Sequence, residues 1–174
     1  MIMGSDRNIY LNGSIDENSA LYTIIQLLVL DAQDKTTPIV LYINSYGGNI
    51  THGLAIYDIL RYIDAPVYMI CTGLAASMGA FLLSCGKKGN RSALRHSRIL
   101  IHQPLIRSNY GARLTETQLR HEAEDIQKIR KTLEDIMAAN TGQPIEKLHA
   151  DCERDNWMSA EEALAYGLID EVIG

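Results

Sequence analysis

The sequence predicts a layered α/β fold with largely parallel strand pairing. Three features carry that reading. Short, β-branched apolar runs recur at strand length, amphipathic stretches with three- and four-residue spacing separate them, and the runs are apolar on both faces, as strands covered by helices on each side must be.

Residues 8–11 form the first short strand, and Asp16 is placed to cap a helix whose Leu21, Ile24, Ile25, Leu28 and Ala32 recur on one stripe. Thr36-Thr37-Pro38 breaks that helix. Residues 39–43 are a buried strand closed by Asn44-Ser45-Tyr46-Gly47-Gly48, and Leu54, Ile56, Ile59 and Ile63 mark the next helix, ended by Ala65-Pro66. Residues 67–71 repeat the theme, followed by a small-residue loop over 72–76 and a helix from about Ser77 to Gly86. A third unit covers 98–102.

From Thr115 the texture changes. Thr115-Glu116-Thr117-Gln118 is a capping box, and the helix it opens runs to Asn140-Thr141-Gly142. A helix of about 25 residues spans roughly 37 Å at 1.5 Å per residue. That exceeds what a compact domain of this size needs, so part of it is expected to project. Its charges, among them Arg120, Glu124, Lys128, Arg130 and Glu134, read as a solvated face, with contact to another subunit as the alternative. Ser159-Ala160-Glu161-Glu162 is a second capping box, with Gly167 as stop and 168–173 as the closing strand.

Composition narrows the function. The 174 residues are 47% hydrophobic, enough for one domain with its own core, and 16 basic against 21 acidic side chains leave a net charge of -5. Such a chain has no general attraction for a phosphate backbone, so a nucleic-acid partner is not expected. Cys71, Cys85 and Cys152 are an odd number without metal-ligand spacing, which fits a reducing, cytoplasmic setting rather than a disulfide framework. No secretory signal and no uninterrupted apolar span of membrane length is visible, so a membrane role is not expected either.

Chemistry concentrates at Ser77, which follows an apolar strand, opens a helix and is flanked by Ala76, Met78 and Gly79. An N-cap serine is the simple reading. The functional one is a hydroxyl beside unpaired helix-start N–H groups, the combination acyl transfer uses. Gly47-Gly48 adds a second place for inward-facing amides, or is an ordinary tight turn.

A serine nucleophile needs a base. His52, His121 and His149 fall on helical stretches and His96 in a polar turn, whereas His102 ends an apolar strand just before Gln103-Pro104, where α/β sites collect. The base in turn needs a carboxylate, and Asp151, Glu153 and Asp155 are all available on residue type alone. The order Ser, His, Asp matches none of the α/β-hydrolase, chymotrypsin-like or subtilisin-like orders.

Four segments together resemble the ClpP family: Tyr42-Ile43-Asn44-Ser45-Tyr46-Gly47-Gly48, Gly73-Leu74-Ala75-Ala76-Ser77-Met78-Gly79-Ala80-Phe81, Ile101-His102-Gln103-Pro104, and Glu153-Arg154-Asp155-Asn156-Trp157-Met158-Ser159-Ala160-Glu161-Glu162-Ala163. They occur in the family's order and span nearly the whole chain.

The resemblance implies a crotonase-like ββα spiral head, about 1–105 and 143–174, with a projecting long handle helix within about 106–142. It implies Ser77 as nucleophile, His102 as general base and then acid, and Asp155 as the orienting carboxylate of the family's Arg-Asp pair. Gly48 and Met78 would supply the oxyanion-hole amides, Gly47, Leu105 and Ile106 the substrate contacts, and Arg154 a contact between rings.

The implied activity is a serine endopeptidase subunit that hydrolyses unfolded polypeptides to short peptides. It would work in homo- or hetero-heptameric rings stacked as a tetradecamer and fed by a hexameric AAA+ unfoldase. No cofactor or metal is implied in this chain, and ATP would be used by the unfoldase. Tyr46 stands where the family commonly has proline, which restores an N–H and frees φ, and the segment after His102 carries Ile106-Arg107 where glycines are common. Those departures motivate an alternative, a weakly active or regulatory ring subunit that activates a paralogous ring. An acyl-CoA enzyme of the crotonase type, holding an enolate between two amides, is a third reading.

Overall fold

The computed structural model describes residues 6–105 and 115–174. Within them lie six helices and one mixed sheet of seven strands, mostly parallel. In chain order these are β1 (Asn8–Ile15), α1 (Glu17–Gln33), β2 (Ile39–Gly48), α2 (Ile50–Tyr62), β3 (Val67–Ala76), α3 (Met78–Ser84), β4 (Arg91–Leu94), β5 (Arg98–Ile101), α4 (Glu116–Thr141), α5 (Ile145–Asp151), β6 (Asn156–Ser159), α6 (Ala160–Tyr166) and β7 (Glu171–Ile173).

The sheet runs β1-β2-β3-β4-β7, all parallel. β3 is long enough to pair twice: its first half takes β4, and its last residues Leu74, Ala75 and Ala76 pair in parallel with Arg98, Ile99 and Leu100 of β5. β6 then adds antiparallel to β5, with Ile101 opposite Asn156 and Arg98 opposite Ser159.

Helix ends follow local chemistry. Asp16, Thr115 and Ser159 each close a capping box, and Gly142 and Gly167 end α4 and α6 in the left-handed conformation. β2 and β3 are each 10 residues long, well past the apolar runs that predict them. The small side chains of Ser45, Gly47, Ala75 and Ala76 let the two backbones stay together beyond the point where bulky packing stops.

The expected stripe on α1 is not its core face. Leu21, Ile25 and Leu28 are 55%, 46% and 37% exposed, whereas Ala20, Thr23, Leu27 and Leu30 are buried. Both sides of this helix are apolar, so periodicity alone marks two candidate faces, and the sheet takes the one centred on Leu27. The core itself joins Ile9 and Leu11 of β1, Leu41 and Ile43 of β2, Met69 of β3, Leu82 and Leu83 of α3 and Ile99 of β5.

A buried ion pair closes the far side of the sheet. Arg91 Nε and Nη2 donate to Asp170 at 2.8 and 2.5 Å, while Nη1 donates to the Asn140 carbonyl at 2.9 Å near the end of α4. In α4 the buried side chains are Glu134 and Met137, both in its C-terminal half, and Leu119 near its start is 53% exposed.

Candidate active site

Ser77 sits at the corner between β3 and α3 with φ 55° and ψ -121°. Among the described residues it is the one non-glycine with positive φ. An L-residue in this conformation is strained by about 1–3 kcal/mol and persists only where the surroundings impose it. Here they do. The Ser77 amide donates to the Leu100 carbonyl of β5 at 2.9 Å, and its own carbonyl accepts the Phe81 amide of α3 at 3.0 Å. Its side chain makes no capping bond, so the simple N-cap reading does not describe it.

Gly47 lies directly across from this corner, and a Cβ there would stand 2.8 Å from Ser77 Cβ and 2.9 Å from the Met78 amide nitrogen. Its φ of +86° also favours glycine. The neighbouring strand is held in place by Ser45, whose hydroxyl donates to the Gly13 carbonyl at 2.6 Å and accepts the Gly47 amide at 3.0 Å. Gly48 follows against β1, where a Cβ would come within 2.2 Å of the Ile15 carbonyl. Tyr46 is skipped as the pairing passes from Gly13–Ser45 to Ser14–Gly47, and its side chain is 73% exposed.

His102 directly follows β5. With Ala76 opposite Leu100 in the β3–β5 ladder, Ser77 and His102 occupy neighbouring strand ends. The β5–β6 ladder brings Asp155 alongside: Ile101 faces Asn156, so the next position along each strand is His102 on one side and Asp155 on the other. This end is tied by Gln103, whose amide donates to the Cys152 carbonyl at 2.6 Å and whose Nε2 donates to the Glu153 carbonyl at 2.9 Å. Among the described residues no hydrogen bond joins the side chains of Ser77, His102 and Asp155 to one another.

The three carboxylates left open by residue type have different neighbours. Asp151 is engaged by Lys147 and by the Tyr166 hydroxyl at 2.8 Å; burial works against its charge, but these bonds hold its carboxyl below the usual range. Glu153 accepts from Arg130 at 2.8 Å, and that guanidinium holds it below the usual range. Asp155 is exposed and stands at the His102 register position.

An open surface groove of about 580 Å³ borders this stretch, lined by Arg154, Asp155, Asn156 and Trp157 among others, but by neither Ser77 nor His102. Leu105 is 74% exposed, and Ile106 lies outside the described residues.

Other nucleophiles are unpromising. Burial pushes the Cys85 and Cys152 thiols up to about 12. Among the described residues no group of three or more His, Cys, Asp or Glu is placed to hold a metal, and no helix is long and apolar enough to cross a membrane.

Two residues at this site escape local sequence reading, Gln103 and Arg130. Arg130 and Glu134 are not part of a solvated face: their side chains are 17% and 11% exposed and bonded to each other at 2.6 Å. Nothing short-range marks a partnership between positions 27 residues apart.

A protein-family model described as Clp protease matches residues 2–174.

Proposed function

Since the chain belongs to the Clp protease family, we propose that it is a serine endopeptidase subunit in which Ser77, His102 and Asp155 act as nucleophile, general base and orienting carboxylate. The observation that carries the reading is the strained Ser77 corner, φ 55°, with Gly47 packed against it and no cap bond for its hydroxyl. The backbone of Ser77 is fixed by its bonds to Leu100 and Phe81, while its hydroxyl is left without a cap bond, and that free hydroxyl at a strained corner supports a chemical role.

An extended peptide would lie along the backbone near Gly47 and the segment after His102, with Leu105 and Ile106 as side-chain contacts. His102 takes the proton as Ser77 Oγ attacks the scissile carbonyl, and the Gly48 and Met78 amides bind the developing oxyanion. His102 returns the proton to the leaving amine, and water then hydrolyses the acyl-enzyme by the same base. Asp155 orients the imidazole and stabilises its charged form. Backbone pairing reads shape rather than side chains, so cleavage would be loosely specific, and no cofactor enters these steps.

The remaining proposals follow the family. Residues of about 1–105 and 143–174 would form the head and about 106–142 the handle, with α4 standing clear at its N-terminal half. Rings of seven would stack as a tetradecamer, Arg154 contacting the opposite ring, and a hexameric AAA+ unfoldase would supply unfolded chains in the cytoplasm.

The test is labelling with a serine-directed phosphonate together with native mass on the same sample. Modification confined to Ser77 in a ring-sized species is expected. An unlabelled Ser77 in an assembled ring would overturn the reading.

A further inference from the structure

We propose that Arg130 of α4 is a positioning residue for the reaction, holding the arm that carries His102 and the arm that carries Asp155 in one fork. The proposal rests on the triad reading above.

The guanidinium reaches four partners. Its Nη1 donates to Gln103 Oε1 at 3.1 Å, its Nη2 to Glu153 Oε1 at 2.8 Å and to the His149 carbonyl at 3.2 Å, and its Nε to Glu134 Oε1 at 2.6 Å. Gln103 is the residue after His102, and Glu153 lies two before Asp155. Gln103 also bonds the backbone of both Cys152 and Glu153, so the two arms and the helix close into one ring of contacts.

A planar fork with donors on three nitrogens can satisfy such a set, whereas an ammonium on a flexible stem cannot hold the same geometry. Glu134 fixes the fork from the helix side and is itself bonded at 3.0 Å by His149 Nδ1. Arg130 is therefore immobilised from behind and presents its two remaining edges to the two arms. Tilting α4 would move both arms together.

Misplacement of reacting groups by about 1 Å is enough to lower turnover about 100-fold. In the assembled full-length protein, Arg130→Ala is accordingly expected to lower kcat on a short fluorogenic peptide about 10–100-fold with KM within about twofold, and to slow phosphonate labelling of Ser77 in parallel. Arg130→Lys should regain thermal stability and assembly but not kcat. Asp31→Asn serves as a control, because Asp31 caps the Asp64 and Ala65 amides far from the site and should lower the melting temperature while sparing kcat.

Unchanged kcat in assembled Arg130→Ala, full recovery by Arg130→Lys, or a kcat loss in Asp31→Asn matching that of Arg130→Ala would each overturn the proposal. Ser77→Ala separates it from the triad reading: if that variant still turns over peptide, the triad reading fails; if it is inert while Arg130→Ala is fully active, only the positioning role fails.

Discussion

Gly47 approaches Ser77 so closely that a single added methyl would stand 2.8 Å from Ser77 Cβ and 2.6 Å from the Ala76 carbonyl. Backbone rather than a flexible side-chain end lies in its way, so Gly47→Ala must displace the serine corner, and φ of +86° adds strain of its own. We expect this variant to lose peptidase activity about 100-fold or more and to be less stable by about 1–3 kcal/mol. Phosphonate labelling rate and urea denaturation would read the two effects. Labelling at the wild-type rate would show that the corner tolerates the shift.

Replacing Ser77 separates function from strain. Ser77→Ala and Ser77→Gly both remove the hydroxyl, but only glycine adopts φ 55°, ψ -121° without the Cβ penalty. Both are expected to be inert, with the glycine variant more stable than the alanine variant by about 1 kcal/mol despite its greater unfolded-state entropy. Equal stabilities in a denaturant titration would mean that the corner is not strained.

The parts of this fold legible in the sequence are those set by local chemistry. Capping boxes at Thr115 and Ser159 and stops at Gly142 and Gly167 mark the ends of α4 and α6 because a cap is decided within a turn of chain. The face of α1 is not legible, since a helix apolar on both sides does not say which side the sheet will cover. Strands β4 and β6 are not legible either, because each is four residues long and held by pairing partners far away in sequence. The same distinction runs through the site. Ser77 and His102 stand out by where their strands end, but nothing local separates Asp155 from Asp151. The resemblance favours Asp155 through its Arg-Asp pair, and the antiparallel register of β6 and the bonds Asp151 makes to Lys147 and Tyr166 support that proposal.

Acid should unfold the protein partly through Asp170. Burial works against its charge, but hydrogen bonds from Arg91 and the Gly89 amide prevail and hold its carboxyl below the usual range. A depressed folded-state pKa means stability that is fully present above the unfolded value near 4 and is lost as pH falls through the folded value. Asp170→Asn leaves Arg91, only 3% exposed, without its counter-charge, a change that typically costs about 3–5 kcal/mol. Urea midpoints of the variant should therefore be low at neutral pH and vary less than wild type across the acid range. A variant curve that falls as steeply as wild type would place the acid sensitivity elsewhere.

Activity should fail before stability does. A protonated imidazole cannot accept the Ser77 proton, so peptide turnover and Ser77 labelling, followed over an interval of roughly pH 8 to 5, are both expected to decline on acidification. Asp170 and Glu153, which hold the sheet edge and the Arg130 contact, have folded-state values below the usual carboxylate range and remain charged through that interval. The loss should accordingly be reversible, with an unchanged circular dichroism spectrum and full recovery on return to neutral pH. His102→Gln keeps a side chain of similar reach but not the basicity, and should be inert across the whole range while folding normally. A flat wild-type profile would remove His102 from the role of base, and a loss that tracks unfolding would assign the decline to structure instead of chemistry.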